Sequence, residues 1–88
     1  MTGEIVIDFT RSEGAVLRLI GQVERRGFEV TSMTLPEHGA GPARLTLGVT
    51  ARDPARRFDA LSRHVAKIYG VTGVRAHESG PHIMERAS

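Results

Sequence analysis

Residues 12–35 read Ser12-Glu13-Gly14-Ala15-Val16-Leu17-Arg18-Leu19-Ile20-Gly21-Gln22-Val23-Glu24-Arg25-Arg26-Gly27-Phe28-Glu29-Val30-Thr31-Ser32-Met33-Thr34-Leu35, and the hydrophobic period changes inside them. Val16, Leu19, Ile20 and Val23 recur at helical spacing, while Arg18, Gln22 and Arg25 lie opposite. The break at Ser12, Glu13 and Gly14 predicts the start of that helix, with Ser12 as its cap and Glu13 suited to its dipole. Arg25-Arg26-Gly27 predicts its end: cations in the last turn, then a glycine able to take the left-handed conformation. From Phe28 the pattern alternates, which predicts a strand with Phe28 and Val30 on one side and Met33 and Leu35 on the other.

Working outward, Glu4–Phe9 predicts a strand with Ile5, Ile7 and Phe9 on one face and Val6 and Asp8 on the other. Pro36–Pro42, with Gly39-Ala40-Gly41 inside it, reads as a turn-forming loop. Arg44–Thr50 resumes alternation through Leu45, Leu47 and Val49, so the two strands flanking the loop form a hairpin. Asp53 and Pro54 carry the signals of a helix start, as cap and first residue. Phe58, Leu61, Val65 and Ile68 form the apolar stripe of this helix, Arg56, Arg63 and Lys67 its polar face, and Gly70 its end. Val71–His77 is the last short strand, and Ser79–Ser88 reads as a loose tail after a single domain over residues 1–78.

The order is β-α-β-β-α-β. With right-handed crossovers it predicts an α+β, ferredoxin-like sandwich: a four-stranded antiparallel sheet with both helices on one face. Val6, Met33 and Leu35, read on the side away from the helices, imply an apolar open face that another molecule should cover.

The chain has 88 residues, no cysteine and no tryptophan, which allows one domain and excludes a disulfide scaffold or a cysteine-ligated zinc module. No apolar stretch approaches the length that spans a bilayer, and the N-terminus lacks a signal layout, so a cytoplasmic location without membrane contact is expected. Eleven of the twelve basic residues are arginine, which inflates the pI; the net charge of +2 is no footprint for nucleic acid.

Catalytic and metal constellations are absent from the pattern. His77, Glu78 and His82 straddle a strand end and a Gly-Pro break, without the turn-to-turn spacing of a two-histidine zinc site. His64 falls on the polar side of its helix, and no serine has a base and an orienting acid beside it. Gly39-Ala40-Gly41 lacks the lysine and hydroxyl of a phosphate loop. RNA modules of the same architecture stack bases on aromatics of the central strands, where this chain offers Phe9, Leu45, Leu47 and Val49. The remaining feature is the Arg11–Gly14 bend, where a helix N-terminus suits a small carboxylate.

Gly14-Ala15-Val16, Arg18-Leu19-Ile20-Gly21 and Arg26-Gly27-Phe28-Glu29-Val30-Thr31-Ser32-Met33 together resemble an ACT domain, and more narrowly the small regulatory subunit of acetolactate synthase. Lys67-Ile68-Tyr69-Gly70-Val71 followed by Val74 is similar to the helix-to-last-strand segment of that family, so the likeness covers residues 4–77. In length the chain is similar to the short, single-domain form found with the second enterobacterial isozyme. The resemblance implies a non-catalytic homodimer, paired through its sheets, that activates a large subunit in branched-chain amino-acid biosynthesis. Thiamine diphosphate, magnesium and FAD would belong to that catalytic partner, and no cofactor to this chain.

In valine-sensitive relatives an amino acid lies between the glycine turn of one subunit and the second strand of the other. Carried over, the ligand-binding residues are Arg11, Gly14, Ala15 and Val16, facing Glu29 and Val30. Arg11 and Glu29 stand where those relatives have asparagines, so a weak or absent valine response is expected. Arg11 can grip a carboxylate or pair with Glu29 across the interface, and Glu29 repels a carboxylate. Two other readings compete: a stand-alone ACT homodimer sensing an amino acid for another enzyme, and a ferredoxin-like RNA-binding module.

Overall fold

A computed structural model of the protein describes residues 2–35, 43–53 and 57–79. The elements follow the expected order: β1 (Thr2–Phe9), α1 (Ala15–Arg25), β2 (Phe28–Thr34), β3 (Ala43–Ala51), α2 (Phe58–Ala66) and β4 (Val71–Ser79). The strands form one antiparallel sheet in the order β2-β3-β1-β4, the ferredoxin-like arrangement. The loop predicted at 36–42, Pro54, Arg56 and the tail beyond Ser79 lie outside the described residues. β4 continues two residues past the strand end expected at His77.

Alternation in β1 and β3 sets the core. Ile5, Ile7 and Phe9 oppose Leu47, Leu45 and Ala43, and directly opposed residues share a face, so these side chains form one buried layer. Leu19 and Val23 of α1 and Phe58, Leu61 and Val65 of α2 close over it. Phe28 and Phe58 meet edge to face, with ring centroids 5.1 Å apart. The Phe58 ring rests on Gly3 of β1: a Cβ there would lie 2.5 Å from Cε2 of the ring, so only glycine fits.

Three local expectations are corrected. Ser12 does not cap α1; Gly14 occupies the cap position in the left-handed conformation (φ 77°), and Ser12 contributes only its carbonyl, which accepts from the Ala15 N–H. Asp53 does not open α2, which begins at Phe58 with Arg57 as its cap residue; Asp59 in the first turn accepts from the Ala60 N–H and pairs with Arg57 and Arg63. The third correction concerns β2. Its register on β3 shifts between Val30 and Ser32, a β-bulge that places two residues against one. Val30 opposes Val49 and Met33 opposes Leu47, so both face the helices, and Leu35 packs against the core. Strict alternation, which put Met33 and Leu35 on the far side, misses the extra residue.

The open face is therefore polar rather than apolar. Glu4, Asp8, Arg44, Thr46, Thr50 and Arg75 stand on it, with Val6 a lone apolar residue among them. Arg44 Nε donates to Asp8 Oδ1 at 2.7 Å and Nη2 to Oδ2 at 3.4 Å. That hydrogen bond holds the Asp8 carboxyl below its ordinary value. β1 and β3 present no aromatic side chain on this face, so the RNA-module reading finds no stacking platform there.

Candidate functional site

The β1–α1 connection is held at both ends. The Thr10 N–H donates to the Gly70 carbonyl at 2.8 Å, fastening it to the turn after α2. The Ala15 N–H donates to Ser12 O at 3.1 Å, and Arg18 Nη2 reaches back to the Glu13 carbonyl at 3.3 Å. Gly14 needs its positive φ for this reversal, and a Cβ there would meet nothing within 4 Å. No side chain caps the helix, and no acidic residue stands in its first turn. The result is an exposed, positively polarised helix end beside the exposed Arg11, while Ala15 and Val16 lean half-buried onto the core.

Glu29 and Val30 belong to the other end of the sheet. Glu29 opposes Thr50, which opposes Thr2 at the start of β1; the glycine turn follows Phe9 at the end of β1. The seven-residue step from Thr2 to Phe9 spans about 24 Å at the usual rise of a strand. One protomer thus keeps the two halves of the carried-over site apart. Glu29 is exposed on the open face, and Val30 is half-buried against the core.

Two features escaped sequence reasoning. The Thr10–Gly70 contact joins segments 60 residues apart, which no local pattern signals. It also fixes the turn that carries Tyr69, which is 96% exposed. His64 is exposed on α2, with its imidazole pushed below its ordinary value by partial loss of hydration against the neighbouring side chains and then by Arg26, Lys67 and Arg63. Among the described residues no group of three or more His, Cys, Asp or Glu side chains is placed to hold a metal ion, and no helix is long and apolar enough to cross a membrane.

A family model for the ACT domain matches residues 11–74. The chain belongs to the ACT domain family. The ACT domain is a regulatory domain, and the fold just described is its own. No curated protein matches the sequence significantly. Among solved structures, the ACT domain of a GTP pyrophosphokinase from Chlorobium tepidum superposes with TM-score 0.70 at 16% identity, covering 88% of this chain and 97% of that one. The acetolactate synthase small subunit from Thermotoga maritima gives TM-score 0.70 at 19% identity, over 93% of this chain and 50% of that one. A formyltetrahydrofolate deformylase from Burkholderia mallei gives 0.67 at 17%, over 88% and 28%. This ACT domain therefore spans half of the Thermotoga small subunit, and at these identities the likenesses speak for the fold.

Proposed function

We propose that this ACT domain is a non-catalytic regulatory subunit that binds and activates the acetolactate synthase large subunit, in the cytoplasm, for branched-chain amino-acid biosynthesis. The narrower assignment is supported by the Gly14–Met33 and Lys67–Val74 stretches that resemble the small-subunit family. The observation that carries the reading is the separation of the two half-sites. Arg11, Gly14, Ala15 and Val16 sit at one end of the sheet and Glu29 and Val30 at the other, so an amino-acid pocket built from them needs a second copy.

Side-by-side pairing through the free edge of β2 supplies that copy. Two β2 strands running antiparallel lay the glycine turn of one protomer near Glu29 of its partner. The same pairing covers two apolar side chains that the single chain leaves out, Leu17 of α1 (77% exposed) and Met33 of β2 (53%). In such a pocket Arg11 meets a ligand carboxylate and Glu29 opposes it, which keeps the valine response weak. Activation is a coupling free energy, set by tighter binding to the active arrangement of the enzyme than to the inactive one.

The test is to mix the chain with the large subunit of its own organism and follow pyruvate condensation. A complex and a rise in rate are expected; no complex with no change in rate overturns the proposal. A second reading, a free-standing ACT homodimer sensing an amino acid for another enzyme, is favoured by the comparable superposition on the pyrophosphokinase and deformylase domains. It predicts amino-acid binding without any effect on the large subunit.

A further inference from the structure

Charge is segregated between the layers of the fold. α1 with Arg26, and α2 with its flanking Arg57 and Lys67, hold six cations against two anions, Glu24 and Asp59. The rest of the described residues hold four cations and six anions. On α2 the cations converge in space: Arg63, Lys67 and Arg26 all act on His64. Asp59 engages Arg57 at 3.3 Å and Arg63 at 3.5 Å, whereas Arg26 and Lys67 form no ion pair among the described residues. Tyr69 follows on a turn fixed by the Ile68 N–H to Val65 O, the Val71 N–H to Ile68 O and the Thr10 N–H to Gly70 O.

We propose that the outer face of α2, with Arg26 and the Tyr69 turn, is the docking surface for a carboxylate-rich face of the enzyme this chain regulates, an assignment that rests on the regulatory reading above. A basic helix face that ends in an exposed tyrosine on a hydrogen-bonded turn has the composition of an interface anchor, where charge steers the encounter and the ring fills a pocket. A polyphosphate partner fits less well, because Asp59 and Glu24 interrupt the basic field and one ring offers no run of stacking positions. Position agrees too. α2 packs over β4, at the opposite edge of the sheet from β2, so this face stays accessible when two β2 edges pair.

Two titrations of the full chain test the surface. In the first, poly-L-glutamate is added to the isotope-labelled chain and followed by NMR. Salt-sensitive shifts are expected at residues 57–69 and Arg26; shifts confined to the open sheet face, or none, overturn the surface. Single-stranded RNA at equal charge concentration is expected to bind more weakly there, and equal or tighter binding at the same residues overturns the choice of a protein partner. In the second, the large subunit is titrated with wild type, with the Arg63→Glu/Lys67→Glu double variant and with Tyr69→Ala. The double variant is expected to lose about 10- to 100-fold in affinity and Tyr69→Ala about tenfold, both remaining folded and dimeric. Arg75→Glu on the open sheet face is expected to change little. Unchanged affinity for both α2 variants overturns the surface and leaves the regulatory proposal standing. No binding of the wild type to the large subunit, with poly-L-glutamate still mapping to α2, overturns the regulatory proposal and leaves the acidic-partner surface standing.

Discussion

The two edges of the sheet are finished differently. At the β4 edge, α2 buries Phe58, Leu61 and Val65 and packs Ile68 against the core, and Val71, Val74 and Ala76 of β4 lie beneath it. At the β2 edge, α1 buries Leu19 and Val23 and packs Ala15, Val16 and Ile20 against the core; beyond the bulge β2 is exposed on both faces, and Met33 and Leu17 are left uncovered. Two βαβ units of similar pattern thus give one edge covered by its helix and one with apolar side chains left uncovered. The difference shows that a free edge need not be an apolar open face: here the large open face is polar and the uncovered apolar surface lies on the rim.

Substitutions at each edge test this contrast. The largest effect is expected at the closed edge. Gly3→Val drives a side chain into the Phe58 ring and the His77 carbonyl, and chemical denaturation should show a loss of about 3 kcal/mol or more. A loss below about 1 kcal/mol would mean that α2 seats loosely. At the open edge, deleting Thr31 removes the extra residue and leaves Ser32 opposite Gly48 and Met33 opposite Leu47 in an unbroken register. The expected loss is about 1–2 kcal/mol, with Leu35→Ala costing as much in that background as in the wild type. A much smaller cost of Leu35→Ala there would mean that Leu35 has turned to the far side, and would contradict the register.

Gly21→Ala comes next. This glycine is exposed in the middle of α1, a Cβ there meets nothing within 4 Å, and helix propensity alone should raise stability by about 1 kcal/mol. A loss at protein concentrations where the chain dimerises would show that a partner's backbone occupies the notch. The smallest effect belongs to Asp8→Asn on the exposed Asp8–Arg44 pair. Folding lowers the pKa of this carboxyl, so its contribution is full above the unfolded value and is lost as pH falls through the folded one. The variant should melt slightly lower at pH 7 and show a flatter decline below about pH 4. An acid limb identical to wild type would contradict the pair.

The order of elements was legible because β1, β3 and α1 follow their periods without interruption, and the Arg25-Arg26-Gly27 ending is realised, with Gly27 at φ 94°. The bulge at Thr31 was not, since alternation counts residues and a bulge adds one without changing composition. The start of α2 was missed because Asp53 is a strong local signal, whereas the helix begins where Phe58 finds Gly3 and Phe28. The glycine turn of the candidate site could be read from its residues. The separation of its two halves could not, because it follows from strand register rather than from any motif.

That separation is the central claim, and the absence of cysteine makes it directly testable. Arg11→Cys and Glu29→Cys are made singly, mixed in equal amounts and treated with a short thiol cross-linker. If the half-sites meet across paired β2 edges, the mixture yields a covalent dimer of one copy of each, while either variant alone yields little. Cross-linking as efficient within Arg11→Cys alone, or none in a mixture shown to be dimeric, would contradict the account.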